Sequence, residues 1–160
     1  MPGGTLATLP LPAPARVTSS VRSSPNVAVR SEARRDGKEG SGECRARWAP
    51  EQALRFGCDE LVDAPVLSAW RGVTVSAPPE RVWPWVGQIR VAPYSYDWVD
   101  NLGRPSPRAL LELDPPRVGE PFTRTAGRPV GEVLAVDPGR ELTGRILGAL
   151  MSYRLVPDGD

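Results

Sequence analysis

With 160 residues the chain has room for one domain, and a net charge of +1 gives no global electrostatic case for nucleic acid. There is no histidine, which removes Ser-His-Asp and Cys-His catalysis and every His-containing zinc site. The two cysteines are too few for a disulfide scaffold, and no apolar run approaches the roughly 18 residues of a membrane span.

The N-terminal third differs from the rest. The first aromatic residue is Trp48, and the residues before it are mostly Pro, Ser, Gly, Arg and other small or polar types. Such a segment buries too little apolar area to offset the entropy of ordering it, so residues 1–45 are expected to form a disordered tail and 46–160 the folded domain. Arg supplies nearly all of the 20 basic residues, and the chain is heavy in Ala, Gly, Pro and Val, all favoured by a GC-rich bacterial gene. The Arg residues are dispersed, which argues against a basic stripe. The stretch 16–30 is Arg- and Ser-rich without an acidic residue, as in a transit peptide, but a flexible tail or an upstream start codon accounts for it more simply. Cys44 and Cys58 read as free thiols in a reducing cytoplasm.

Residues 51–63 read as a short helix and turn ending before Ala64-Pro65. Residues 70–76 alternate as a strand, with Arg71, Val73 and Val75 on one side. Pro79-Glu80 opens a helix in which Val82, Trp85, Val86 and Ile89 share a face, and Pro84 should bend it. Trp85 then belongs to the core stripe, while Trp83 looks elsewhere. Ser95 is the expected N-cap of a second short helix through Trp98 and Leu102, stopped by Gly103. Residues 104–119 are Pro-rich and irregular. Strands are predicted at 121–125, 130–136, 141–147 and 151–156, with Asp137-Pro138-Gly139 as a turn. Helices segregated from a run of strands give an α+β domain.

Three of the five tryptophans and two of the three tyrosines fall in Trp83-Pro84-Trp85-Val86-Gly87-Gln88-Ile89 and Tyr94-Ser95-Tyr96-Asp97-Trp98-Val99-Asp100-Asn101. An aromatic band with interleaved polar groups suits a core or the wall of a small-molecule cavity. The strand, Ala77-Pro78, then Val82-Trp83-Pro84-Trp85 opening, with Gln88 following, resembles the polyketide cyclase/dehydrase-like (SRPBCC) branch of the START/Bet v 1-like superfamily. Tyr94-Ser95-Tyr96-Asp97, Val118-Gly119-Glu120 and Cys58-Asp59-Glu60-Leu61-Val62 are similar to further words of a bacterial subfamily.

The resemblance implies a helix-grip fold: a curved antiparallel sheet with two short helices, gripping a long C-terminal helix over a cavity. That helix would follow Asp160, so the sequence reads as a partial domain, completed by a homodimer partner or a missing C-terminal complement, or as an inert remnant. A cavity of this kind implies binding of a small hydrophobic or amphipathic molecule without catalysis. The alternative is a cyclase- or dehydratase-like enzyme in which Tyr96 and Asp97 steer or deprotonate an enol-forming carbon.

Tyr94, Tyr96 and Asp97, where a loop meets a helix, are the leading candidates for ligand contact, with Trp85 and Trp98 beside them. Each has a plainer role: core packing for the rings, and a favourable helix-dipole position for Asp97. Asp100, Asn101 and Arg104 fit a surface pair and helix end cap, and Glu132 with Arg145 fits either a cross-hairpin pair or a group turned into the cavity. No carboxylate cluster has metal-ligand spacing, and no Gly-rich loop has a phosphate-cradle pattern. The expected partner is therefore a small hydrophobic molecule, with no cofactor, no metal, no nucleic acid and no membrane insertion.

Overall fold

Side chains alternate across a strand, and here the alternation sends apolar groups to one side and small or charged groups to the other. The computed structural model describes residues 14–23 and 53–157. Seven strands are present among them: β1 (Ala15–Ser23), β2 (Leu67–Val75), β3 (Thr123–Thr125), β4 (Arg128–Val130), β5 (Glu132–Asp137), β6 (Glu141–Ile146) and β7 (Ala149–Pro157). Five of them form a sheet in the order β2-β1-β7-β6-β5, and β3 and β4 form a separate hairpin. Every pairing is antiparallel. With the helices α1 (Pro79–Gln88) and α2 (Asp97–Asp100), the architecture is α+β, mostly antiparallel sheet with few helices. Among the described residues, no helix is long and apolar enough to cross a membrane.

Register assigns the faces. Val17 pairs with Val73 on one side and Leu155 on the other, and Leu142 lies opposite Tyr153, so these side chains share one face. There Ala15, Leu142, Leu155 and Val133 are buried against Val82 and Val86 of α1 and against Phe122. Gly144 is required at its place on β6, because a Cβ there would overlap the Phe122 ring. The opposite face carries Thr18, Ser20, Ser152 and Thr143, all buried. It is covered by a 3-10 turn at Gly57–Leu61, whose Cys58, with Phe56 and Leu150, makes a second small core.

That turn is held by polar contacts rather than by area. The Cys58 amide donates to Ser152 Oγ at 3.0 Å, and Gly57 donates to a Glu141 carboxylate oxygen at 2.5 Å. Arg22 pairs with Asp59 at 2.7 Å while its guanidinium lies 4.5 Å from the centre of the Trp70 ring. Cys58 is a buried free thiol; Cys44 lies outside the described residues.

Several expectations are corrected. The tail of residues 1–45 contains a strand, since Ala15–Ser23 pairs along its whole length with both β2 and β7; the rest of that span lies outside the described residues. The helix expected over 51–63 is a 3-10 turn at Gly57–Leu61. The strand expected at 130–136 is two strands, because Gly131, at φ 72°, ends β4 and begins the turn into β5. Trp85 is 41% exposed, whereas Trp83 packs against the core. The reason is the Pro-rich segment, whose Leu111, Leu113 and Pro116 close over the Trp83–Gly87 side of α1 and leave the Trp85 side open. α2 is one turn long, and Ser95 is not its cap; the Ser95 hydroxyl bonds to the Asp100 carboxylate instead.

Candidate ligand cavity

The end of α1 is fixed to the β3–β4 hairpin by Thr123, whose hydroxyl donates to the Ile89 carbonyl at 2.7 Å. The hairpin and α2 stand across from the apolar face of β6 and β7. Between them is a cavity of about 600 Å³. Its floor is Phe122, Met151, Tyr153 and Ile146; its sides are Ile89, Pro93, Val99 and Val130; its rim includes Ser95, Asp100, Thr125 and Leu147. The Phe122 and Tyr153 rings stack at 6.3 Å between centroids. Burial of the Tyr153 phenol among these groups pushes its pKa up, so it stays a neutral hydroxyl at physiological pH. The walls are apolar, with Thr, Ser, Tyr and Asp groups at separate points, a distribution that suits an apolar molecule with one polar end.

Beside the cavity, a hydrogen-bonded clamp fixes the chain between α1 and the Pro-rich segment. Gln88, fully buried, donates from Nε2 to the Tyr94 hydroxyl at 2.6 Å and to the Ala109 carbonyl at 3.0 Å. Its Oε1 accepts the Leu111 amide at 2.7 Å. Ser106 donates its amide to one Asp97 oxygen at 2.7 Å and its hydroxyl to the other. The Tyr94 amide in turn donates to Ser106 Oγ at 3.2 Å. Tyr94 itself adopts φ 51°, a conformation disfavoured for a bulky residue and held here by its two partners. The hydroxyl and amide of Ser106 lower the Asp97 pKa, with Arg108 adding to the same direction.

None of the five residues expected at the ligand lines this cavity. Tyr94 and Asp97 serve the clamp, Tyr96 and Trp98 are each 80% exposed, and Trp85 faces outward on α1. Their neighbours Pro93, Ser95, Val99 and Asp100 form the walls instead. Asn101 does act at the end of α2: its Nδ2 donates to the Arg104 carbonyl at 2.7 Å and its Oδ1 accepts the Ala126 amide at 2.8 Å. Glu132 and Arg145 form a surface pair at 3.1 Å across the β5–β6 hairpin and do not enter the cavity. The floor residues gave one signal in the sequence, the shared parity of Met151, Tyr153 and Leu155 on β7. Among the described residues, no group of three or more His, Cys, Asp or Glu is placed to hold a metal. Comparisons with family models, with curated proteins and with solved structures find no match.

Proposed function

We propose that the chain is a helix-grip domain of the START/Bet v 1-like kind that holds a small hydrophobic or amphipathic molecule between its sheet and helices, without chemical turnover. The observation that carries this reading is the apolar cavity of about 600 Å³ against β6 and β7. Its volume lies within the ~300–1,000 Å³ common for small-molecule sites. Binding would come mainly from apolar burial on Phe122, Met151 and Ile146, with the Tyr153 phenol and Thr125 orienting a polar end. A polyketide cyclase- or dehydratase-like reaction through Asp97 has less support. Both oxygens of that carboxylate are occupied by Ser106, its pKa is lowered, and an efficient general base has a pKa near the operating pH. A cytoplasmic setting fits the buried, unpaired Cys58 thiol.

The test is titration with the neutral apolar fluorophore N-phenyl-1-naphthylamine. Saturable, blue-shifted emission is expected, and Met151→Trp, which fills the floor, should weaken it by more than about tenfold while leaving the melting temperature unchanged or higher. Equal binding by the filled variant, or no saturable binding by the parent, would remove the cavity as the site.

A further inference from the structure

The charge on a cavity wall selects the polar end that can enter, and here it has one sign. Asp100, the last residue of α2, is the charged side chain among the wall residues, and no Arg or Lys lines the cavity among the described residues. Asp100 is half-buried. It belongs to no ion pair among the described residues. Its side-chain partner is the Ser95 hydroxyl, which donates to Oδ2. A carboxylate has about four acceptor sites on its two oxygens, so most of this capacity is unused.

The cations of the neighbouring segments are engaged elsewhere. Arg104 donates to the Ala126 carbonyl at 3.1 Å, and Arg108 acts on Asp97. Arg124 lines a separate pocket with Asp114 and Glu120, and Arg145 pairs with Glu132. A net charge of +1 gives the chain no general attraction for a cation, so a preference for one has to arise locally. The other polar groups at the rim, the Ser95 and Thr125 hydroxyls, have oxygens that accept as well as donate. A protonated amine carries donors only and suits this set, whereas a carboxylate ligand would meet Asp100 as a like charge. The floor of Phe122, Ile146 and Met151 is apolar, so the rest of such a molecule is apolar too.

We propose that the cavity takes a lipophilic amine, with its apolar body on the β6–β7 face and its ammonium on Asp100, and disfavours anionic amphiphiles. This rests on the ligand-binding reading above and names the class of molecule held. The test is displacement of N-phenyl-1-naphthylamine from the full chain near neutral pH by decylamine, decanol and decanoate, each below its micelle concentration. Equal chain length holds the apolar contribution constant, so the order reports the head group. Decylamine should bind about tenfold or more tightly than decanol, the scale of a charge-assisted hydrogen bond, and decanoate more weakly than decanol. Asp100→Asn, whose amide oxygen can still accept the Ser95 hydroxyl, should bring decylamine to the level of decanol and leave decanol unchanged. Asp100→Ser is a second neutral variant; circular dichroism identifies either one that fails to fold, and the other then decides. Decanol binding without a preference for the amine would overturn the proposal and leave the ligand-binding reading standing. A preference that survives in the folded neutral variants would also overturn it, by assigning the amine to another group. Absence of fluorophore binding by the parent chain would remove both.

Discussion

Asp97 shows how one carboxylate's role is decided by its partners. Next to exposed aromatics, the residue has the local sequence of a catalytic base, yet its oxygens take a hydroxyl and an amide from Ser106 nine residues later. Those bonds favour the charged form and hold the pKa below the usual carboxylate range. A folded-state pKa below the unfolded one means that the contact stabilises above the ordinary carboxylate pKa. The contribution is lost as pH falls through the folded value. The expected result is an Asp97 titration, followed by carboxyl NMR, with its midpoint below the ordinary range and moved up by Ser106→Ala. Protonation of Asp97 should release the Tyr94–Ser106 segment before the sheet unfolds, seen as early loss of the Tyr94 amide signal on acidification. An unshifted midpoint in Ser106→Ala would mean that the clamp is not what holds the charge.

At the scale of elements, β1 is the strand whose role the local sequence hid most. Its inward positions on the 3-10-turn side are Thr18, Ser20 and Arg22, so a buried face reads as polar, and the surrounding Pro- and Ser-rich stretch outweighs the alternation of Ala15, Val17 and Val21. What makes the buried Arg22 tolerable is long-range and absent from any local window: it meets Asp59 and the Trp70 ring, whereas the Thr18 and Ser20 hydroxyls have no hydrogen-bond partner among the described residues. The later meander was legible because its signals are local, an Asp137-Pro138-Gly139 turn and the alternation along β7. The cavity was not, because its floor joins Phe122 to Ile146, Met151 and Tyr153 on different strands, and only the register brings them together. Arg22→Met should therefore destabilise the protein by about 1–3 kcal/mol, read as a lower urea midpoint with unchanged slope. The loss comes from leaving Asp59 without its cation in a largely buried site and from removing the stack on Trp70. A midpoint unchanged within error would separate β1 from the fold's stability.

At the scale of the molecule, the two faces of the sheet are closed by different means, and this sets where the structure is rigid. β1 and β7 each have two strand partners, and β7 lies against both α1 and the 3-10 turn. β3 and β4 are three residues each and pair only with one another, attached to the rest through Thr123, Asn101 and Arg104. An isolated two-stranded ribbon of that length has little stability of its own. Native-state hydrogen exchange should therefore be slowest in β1 and β7 and fastest in β3, β4 and α2, the elements that form the upper wall of the cavity. A molecule bound against Phe122 and Tyr153 is released both by local opening of the wall and by global unfolding, so it slows exchange through either route. Occupancy should then raise protection in 123–130 and 97–101, and also in β1 and β7 where these exchange by global unfolding. Slowing confined to β1 and β7 would place the bound molecule outside this cavity.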